Sequence, residues 1–335
     1  MSDAQKNDAN RAASRIFIAT VFSGGLRARL EPGFAVTGPV ELPIIAHLDP
    51  AIAAEVRALV TVGIMETSAE LMDFLPNLAL ISCLGSGYEG VDIAAAMQRG
   101  IMVTHSPAAN AGAVAELAMA LLLAANRQIL AADKFVREGL WRRNALAGIP
   151  VARGLEGGRI GIYGYGAIGA KIAARCAAFE AEIAYHSRSE KPDVGYDFHQ
   201  TLQSLADWAD ILMVAVRADA SNRHAVDANV MRALGPEGIL VNISRGSVVD
   251  EAALIALLRS GELGGAGLDV FEHEPMVPDA LKAVPQVVMT PHLGGATRQA
   301  RAAMEDLVLA NITAFFAGRA VPAPIPEMKP MPPRQ

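Results

Sequence analysis

Gly164-Tyr165-Gly166-Ala167-Ile168-Gly169 follows the apolar run Ile160-Gly161-Ile162-Tyr163 and leads into Ala170-Lys171-Ile172-Ala173. The glycine spacing by itself is a weak signal, because glycine supplies 30 of the 335 residues. Its setting decides the reading. A strand entering such a turn and a helix leaving it form the arrangement that binds a pyrophosphate. Gly164 permits the tight turn, Gly166 lets the backbone approach the phosphates, and Gly169 lets the helix pack close to the strand. Unpaired N–H groups and the dipole at the helix start, around Ala167 and Ile168, attract the anion.

Working outward from this turn, β-branched or Leu-rich runs alternate with Ala-rich helical patterns. Strands are expected at 159–163, 182–186, 211–216, 239–243, 266–270 and 287–290, with a helix over 168–179. A similar alternation occupies about the first hundred residues, with strands at 15–21, 58–62 and 78–83. Both halves therefore read as parallel sheets covered by helices on their two faces. Ser106-Pro107 breaks the chain between them, and 111–127 follows as a helix apolar on nearly every face, expected to be buried between domains or subunits as a dimer core. An Ala-rich helix is expected at 297–316. The Pro-rich segment 321–335 is expected to be extended or disordered, since X-Pro pairs cannot continue a helix.

Bulk properties exclude several functions. At 335 residues and 35.2 kDa the chain suits two domains, and 52% hydrophobic with 19% charged residues gives material for two cores. A net charge of −6 and no Lys/Arg-rich run leave no footprint for nucleic acid. The two cysteines, Cys83 and Cys176, lie in apolar stretches and read as reduced packing residues of a cytoplasmic protein. The first fifteen residues are polar, without the apolar centre of a signal peptide, and read as a loose tail. The longest apolar stretch, 117–125, is well short of the ~20 residues of a spanning helix, so no membrane partner is expected.

Three later motifs carry candidate chemistry: Asn242-Ile243-Ser244-Arg245-Gly246, Asp269-Val270-Phe271-Glu272-His273-Glu274-Pro275 and Thr290-Pro291-His292-Leu293-Gly294-Gly295. With the glycine turn upstream, these resemble the NAD(P)-dependent D-isomer-specific 2-hydroxyacid dehydrogenases, especially glyoxylate/hydroxypyruvate reductases, over residues from about Leu80 to about Thr297. The resemblance implies a Rossmann-type doubly wound parallel sheet inserted into a flavodoxin-like substrate domain. The substrate domain would comprise 1–105 with 297–335, and the dinucleotide domain 106–296 with the dimerisation helix. It further implies closure about hinges near Ser106 and His292, a homodimer, and no metal site.

The reaction such a family performs explains the residue types. Hydride delivered to a ketone leaves negative charge on oxygen, and His292, just beyond a strand end, suits the proton donor. A carboxylate beside the imidazole favours its charged form. Glu274 takes that part by resemblance, and spacing alone does not separate it from Glu272. Arg245 would fork onto the substrate's carboxylate and ketone oxygens, while Asp269 would contact the nicotinamide end of the cofactor. Ser86 and Gly87, in Leu84-Gly85-Ser86-Gly87-Tyr88, would bind the substrate carboxylate through backbone N–H groups. Trp141 matches a tryptophan that reaches a partner's active site in some relatives, or is an ordinary dimer-interface aromatic.

For the cofactor, the strand ending Tyr185-His186-Ser187-Arg188-Ser189 lacks the acidic residue that binds a ribose 2′-hydroxyl and offers a guanidinium and two hydroxyls to a 2′-phosphate. NADP(H) is therefore expected over NAD(H), with no carboxylate beside Arg188 to oppose it. The expected activity is reduction of a small 2-oxo acid such as glyoxylate, hydroxypyruvate or a substituted pyruvate. A dehydrogenase of another anion, or a cofactor-sensing corepressor or regulatory protein, remains as the alternative. Three departures from the family wording stand out: Gly85-Ser86-Gly87 for the commoner Ser-Val-Gly, Ala111 for Thr, and residues 216–224 for a Pro/Thr-rich loop.

Overall fold

The computed structural model describes residues 14–20, 25–39, 48–142 and 151–328. The chain divides into two compact units, Met1–Asn110 with Thr297–Gln335, and Ala111–Ala296. In the first, β1 (Arg15–Ile18), β2 (Ala35–Thr37), β3 (Val56–Thr61), β4 (Leu80–Cys83) and β5 (Met102–Thr104) form one sheet. They pair in parallel in the order β2-β1-β3-β4-β5, the flavodoxin-like arrangement. Leu80, Ile81, Ser82 and Cys83 are all buried, as a strand covered on both faces requires.

The helix Arg298–Phe316 belongs to this unit. Met304, Val308, Ile312 and Phe316 recur at every fourth residue and enter the core that holds Ile16, Leu59 and Ile81. Thr297 starts the helix, its hydroxyl accepting from Ala300 N at 3.1 Å. The Pro-rich segment that follows is more ordered than its composition suggests. Ile325 N donates to Val103 O at 3.1 Å, and Ile325 and Met328 are buried, so two apolar side chains dock a stretch that forms only the short 3-10 turn Pro326–Met328. Residues 329–335, most of the expected N-terminal tail, and the end of the expected strand 15–21 lie outside the described residues.

In the second unit, β6 (Arg159–Tyr163), β7 (Glu182–His186), β8 (Asp197–Phe198), β9 (Ile211–Val214), β10 (Ile239–Asn242), β11 (Gly265–Leu268) and β12 (Val287–Met289) are all parallel. Their order, β12-β11-β10-β9-β6-β7-β8, is the Rossmann order with one extra strand at the β12 edge. Alternate residues feed two cores: Ile160, Ile162, Met213 and Val241 face one side, and Leu212, Val214, Leu240 and Ala266 the other. The helix Ala111–Asn126 packs on this unit's own sheet, with Val114, Ala118, Leu121 and Leu122 buried. Gly267 in β11 makes room, because a Cβ there would sit 2.9 Å from Leu121 Cβ.

The strands β2, β5 and β8, of three, three and two residues, were not expected from the sequence, and most of the others are a residue or two shorter or shifted. Among the described residues no single helix is long and apolar enough to cross a membrane. A pair bent by 61°, Ala111–Asn126 with Ile129–Arg137, has the length and composition together, but its first member is packed on the sheet. Cys83 and Cys176 are free and buried, and burial pushes both thiols up to about 12, which keeps them protonated and unreactive.

Candidate active site

The strand order of the second unit reverses between β6 and β9, and the glycine turn sits at that reversal, where open α/β sheets bind ligands. Gly164 has φ +99°, and a Cβ on it would lie 2.5 Å from Val216 Cα, so the turn after β6 rests directly on the backbone after β9. A Cβ on Gly169 would lie 2.1 Å from Gly164 O, because the helix Ala167–Ala177 starts hard against the strand. Gly166 differs. It has φ −103°, and a Cβ there would meet nothing within 4 Å. Two glycines are thus needed by the fold and the third faces open space beside the helix N-terminus.

Ser187, Arg188 and Ser189 follow β7, with Arg188 exposed. Ser187 Oγ donates to Ser189 O at 2.7 Å, which commits its proton within the loop. A carboxylate from a later segment, Asp219, feels the charge of Arg188. Asp219 follows β9, while Arg188 follows β7, and these strands flank β6 on either side. The Asp219 carboxylate caps the 3-10 turn Ala220–Asn222 by accepting from Ser221 N at 2.8 Å. It is held below its ordinary range chiefly by the Ser221 hydrogen bonds and further by the charges of Arg188 and Arg217.

Arg245, Glu274 and His292 come together in the same unit. Asn242, at the end of β10, ties the first loop: its Nδ2 donates to Arg245 O at 2.9 Å and its Oδ1 accepts from Ser244 N at 3.0 Å. Gly246 lets this loop touch the next, since a Cβ would sit 1.9 Å from the Phe271 carbonyl carbon. Glu274 is fixed through Oε1, which accepts from Phe271 N at 3.1 Å, and its Oε2 accepts from His292 Nδ1 at 2.8 Å. Burial raises the Glu274 carboxyl, but the His292 hydrogen bond and charge, the Phe271 N–H and the Arg245 charge together hold it below the usual carboxylate range. An ionised carboxylate accepts, so Nδ1 carries the proton of this contact and Nε2 is the ring nitrogen that Glu274 does not engage.

Glu272 is used otherwise. Its Oε1 accepts from Arg223 and from His224 Nε2 at 2.8 Å, and its backbone N–H donates to Glu251 Oε2 at 3.2 Å. The two glutamates that spacing could not separate thus anchor different segments. Asp269 is 1% exposed and, among the described residues, its carboxylate serves the loop that carries His292. Oδ1 accepts from Thr290 Oγ1 at 2.6 Å and Leu293 N at 2.7 Å, and Oδ2 from Gly294 N at 2.8 Å. This loop holds His292 at φ +54°, a left-handed conformation that costs a non-glycine residue about 1–3 kcal/mol and persists only when its surroundings impose it.

In the first unit, Gly85, at φ +128°, Ser86 and Gly87 follow β4. Gly85 O accepts from Ser106 N at 2.7 Å, and Ser86 Oγ lies within hydrogen-bond distance of Ser106 O and Asn110 Oδ1. Among the described residues the N–H groups of Ser86 and Gly87 have no acceptor. Trp141 lies on the second unit, after the helix Ile129–Arg137. It is 68% exposed, close in sequence to Ile129, Leu130, Val136 and Leu140, which are exposed too, on or just after a helix that buries none of its residues. Sequence reading missed Asp219, Arg223, His224 and His105, whose only signal was position after a strand end.

Residues 119–294 match the model of the family described as D-isomer specific 2-hydroxyacid dehydrogenase, NAD binding domain. The chain is 40% identical to hydroxyphenylpyruvate reductase of Plectranthus scutellarioides, over 82% of this chain and 86% of that protein. It is 42% identical to glyoxylate/hydroxypyruvate reductase A of Arabidopsis thaliana, over 81% and 85%. Among solved structures it resembles an NADPH-dependent glyoxylate/hydroxypyruvate reductase from Sinorhizobium meliloti, in complex with NADP and malonate. That similarity has a TM-score of 0.87 and 37% identity over 96% of this chain and 99% of the other.

Proposed function

The chain belongs to the D-isomer specific 2-hydroxyacid dehydrogenases, and from that premise we propose that it reduces a small 2-oxo acid to the D-2-hydroxy acid with NADPH as the preferred donor. Glyoxylate, hydroxypyruvate and substituted pyruvates are the candidate substrates, after the reductase relatives. The observation that carries the reading is the His292–Glu274 pair, 2.8 Å apart, beside the Arg245 charge and in the unit that bears the glycine turn. The turn fits a dinucleotide, since Gly166 leaves open the space a pyrophosphate would take at a helix start.

When bound, the reduced nicotinamide supplies the hydride. The protein's share is proton transfer and orientation. His292 Nε2–H gives its proton to the ketone oxygen as charge develops there, and Glu274 keeps Nδ1 protonated and the ring in place. Arg245 aligns the oxo acid through two parallel N–H contacts, and Ser86 N and Gly87 N take its carboxylate. Asp269 acts at one remove by fixing the loop of His292. The exposed apolar face of Ile129, Leu130, Val136, Leu140 and Trp141 suits a second copy of the chain.

The direct test mixes the protein with NADPH or NADH and glyoxylate, hydroxypyruvate or phenylpyruvate and follows the nicotinamide absorbance. Turnover with at least one acid is expected. Silence across the panel with both cofactors would overturn the reading in favour of a cofactor-sensing regulatory protein. Arg188→Ala should weaken NADPH by roughly ten- to hundredfold, the worth of a charge-assisted hydrogen bond of about 1.5–3 kcal/mol, and spare NADH. Equal loss of the two would remove Arg188 from cofactor choice.

The glycine turn allows a sharper test of the dinucleotide site. Gly166→Ala meets open space, so thermal stability should stay within about 0.5 kcal/mol of the parent. Dinucleotide affinity, measured by fluorescence titration, should fall at least about tenfold, because the methyl enters the phosphate's space. Gly169→Ala should instead destabilise the fold by about 1–3 kcal/mol or more, since its Cβ would lie 2.1 Å from a carbonyl oxygen. A Gly166→Ala protein with undiminished affinity would mean that the turn is only structural.

A further inference from the structure

We infer that His105 is a positioning residue that holds the Ser86–Gly87 peptide with its N–H turned toward the substrate carboxylate. The inference deepens the proposed function and rests on its assignment of that carboxylate to Ser86 N and Gly87 N. The argument begins with the glycines. Gly85-Ser86-Gly87 has glycine on both sides of one residue, and Gly87 accepts either sign of φ, so the Ser86–Gly87 peptide can reverse at little steric cost. A peptide free to reverse presents its carbonyl oxygen to an anion as often as its N–H.

Three contacts prevent this. Gly85 O is taken by Ser106 N at 2.7 Å. Gly87 O lies against Gly63, where an added Cβ would approach it to 1.7 Å. Between them, Ser86 O accepts from His105 Nδ1 at 2.9 Å. In a planar trans peptide the C=O and the following N–H point opposite ways. Anchoring Ser86 O on His105 therefore aims Gly87 N–H away from the histidine, and anchoring Gly85 O does the same for Ser86 N–H.

His105 is itself held firmly. Its N–H donates to Ala323 O at 3.1 Å, and its own carbonyl accepts from Asn311 Nδ2 at 3.4 Å. The Tyr88 ring stands edge-on to the imidazole, centroids 5.3 Å apart and planes at 89°, and Tyr88 OH donates to Glu327 at 2.9 Å. The aromatic contact and the carboxylate beyond it restrict rotation of the ring, so the donor stays on Ser86 O.

The test compares His105→Asn with His105→Leu. Asn places a donor where Nδ1 stood, and Leu has the same branched shape without one. His105→Leu should raise KM for the preferred 2-oxo acid about tenfold, in line with a partly buried carbonyl left without its donor, with kcat and dinucleotide Kd within about twofold. His105→Asn should restore KM. For methylglyoxal, a neutral carbonyl compound, neither variant should change KM.

Unchanged KM for the oxo acid in His105→Leu would overturn the role of His105 and leave the carboxylate assignment standing. An equal rise for oxo acid and methylglyoxal would overturn both, since the loop would then not read the carboxylate. Should His105→Leu not fold, ¹⁵N-histidine NMR of the unsubstituted protein decides. A neutral His105 with its proton on Nδ1 supports the contact, and one protonated only on Nε2 overturns it.

Discussion

His292→Asn is expected to lower kcat for oxo-acid reduction by about 10²–10⁴-fold, the usual worth of a positioned general acid, while dinucleotide affinity stays within about twofold. Asparagine is chosen because the backbone at this position has φ +54°, a conformation it tolerates better than other residues with a β-carbon. The loop should therefore survive, held by Asp269 through Thr290, Leu293 and Gly294. A variant keeping more than a tenth of the parent kcat would exclude His292 as the proton donor.

The partner of His292 adds a pH dependence with a definite sign. Glu274 has its carboxyl held below the ordinary value of 4.5, so it stays ionised down to at least that pH, and no acid loss of activity above it should arise from Glu274. Because its folded pKa is depressed, its contribution to stability is complete above the unfolded value near 4.5 and is lost as pH falls through the lower folded value. Glu274→Gln removes the carboxylate that accepts from His292 Nδ1 and orients the ring, so kcat should fall.

What could be read from the sequence follows from the range of the constraint. The turn at 164–169 was legible because strand, glycines and helix are contiguous, and the strand positions 159–163 and 182–186 coincide with β6 and β7. The short strands Ala35–Thr37 and Asp197–Phe198 carry too few residues for a period-2 pattern and exist because a neighbouring strand supplies their ladder. The contacts that tell Glu272 from Glu274 include ones from residues far along the chain, His224 and His292. The approach of Asp219 to Arg188 was hidden for the same reason, since it depends on which strands flank β6. Which face of the helix Ala111–Asn126 packs on its own sheet was not legible because its composition is apolar all round, whereas Gly267 selects the face that packs closely.

Arg245→Lys is expected to lower kcat/KM about 10²–10³-fold, the scale found when a preorganised donor to developing charge is lost. The fold should tolerate it. The Arg245 side chain is half-buried and donates within its own loop to Ser244 O at 2.7 Å, while the loop's shape comes from Asn242 and from Gly246 against Phe271. Lysine keeps the positive charge that helps depress Glu274 but not the planar fork that grips two oxygens. Arg245→Met removes both, so the Glu274 carboxyl should rise, and a further loss at acid pH should appear in that variant alone. Comparing the two separates geometry from charge. If Arg245→Lys were within threefold of the parent, bidentate orientation would be refuted and Arg245 would be left as a source of field at Glu274.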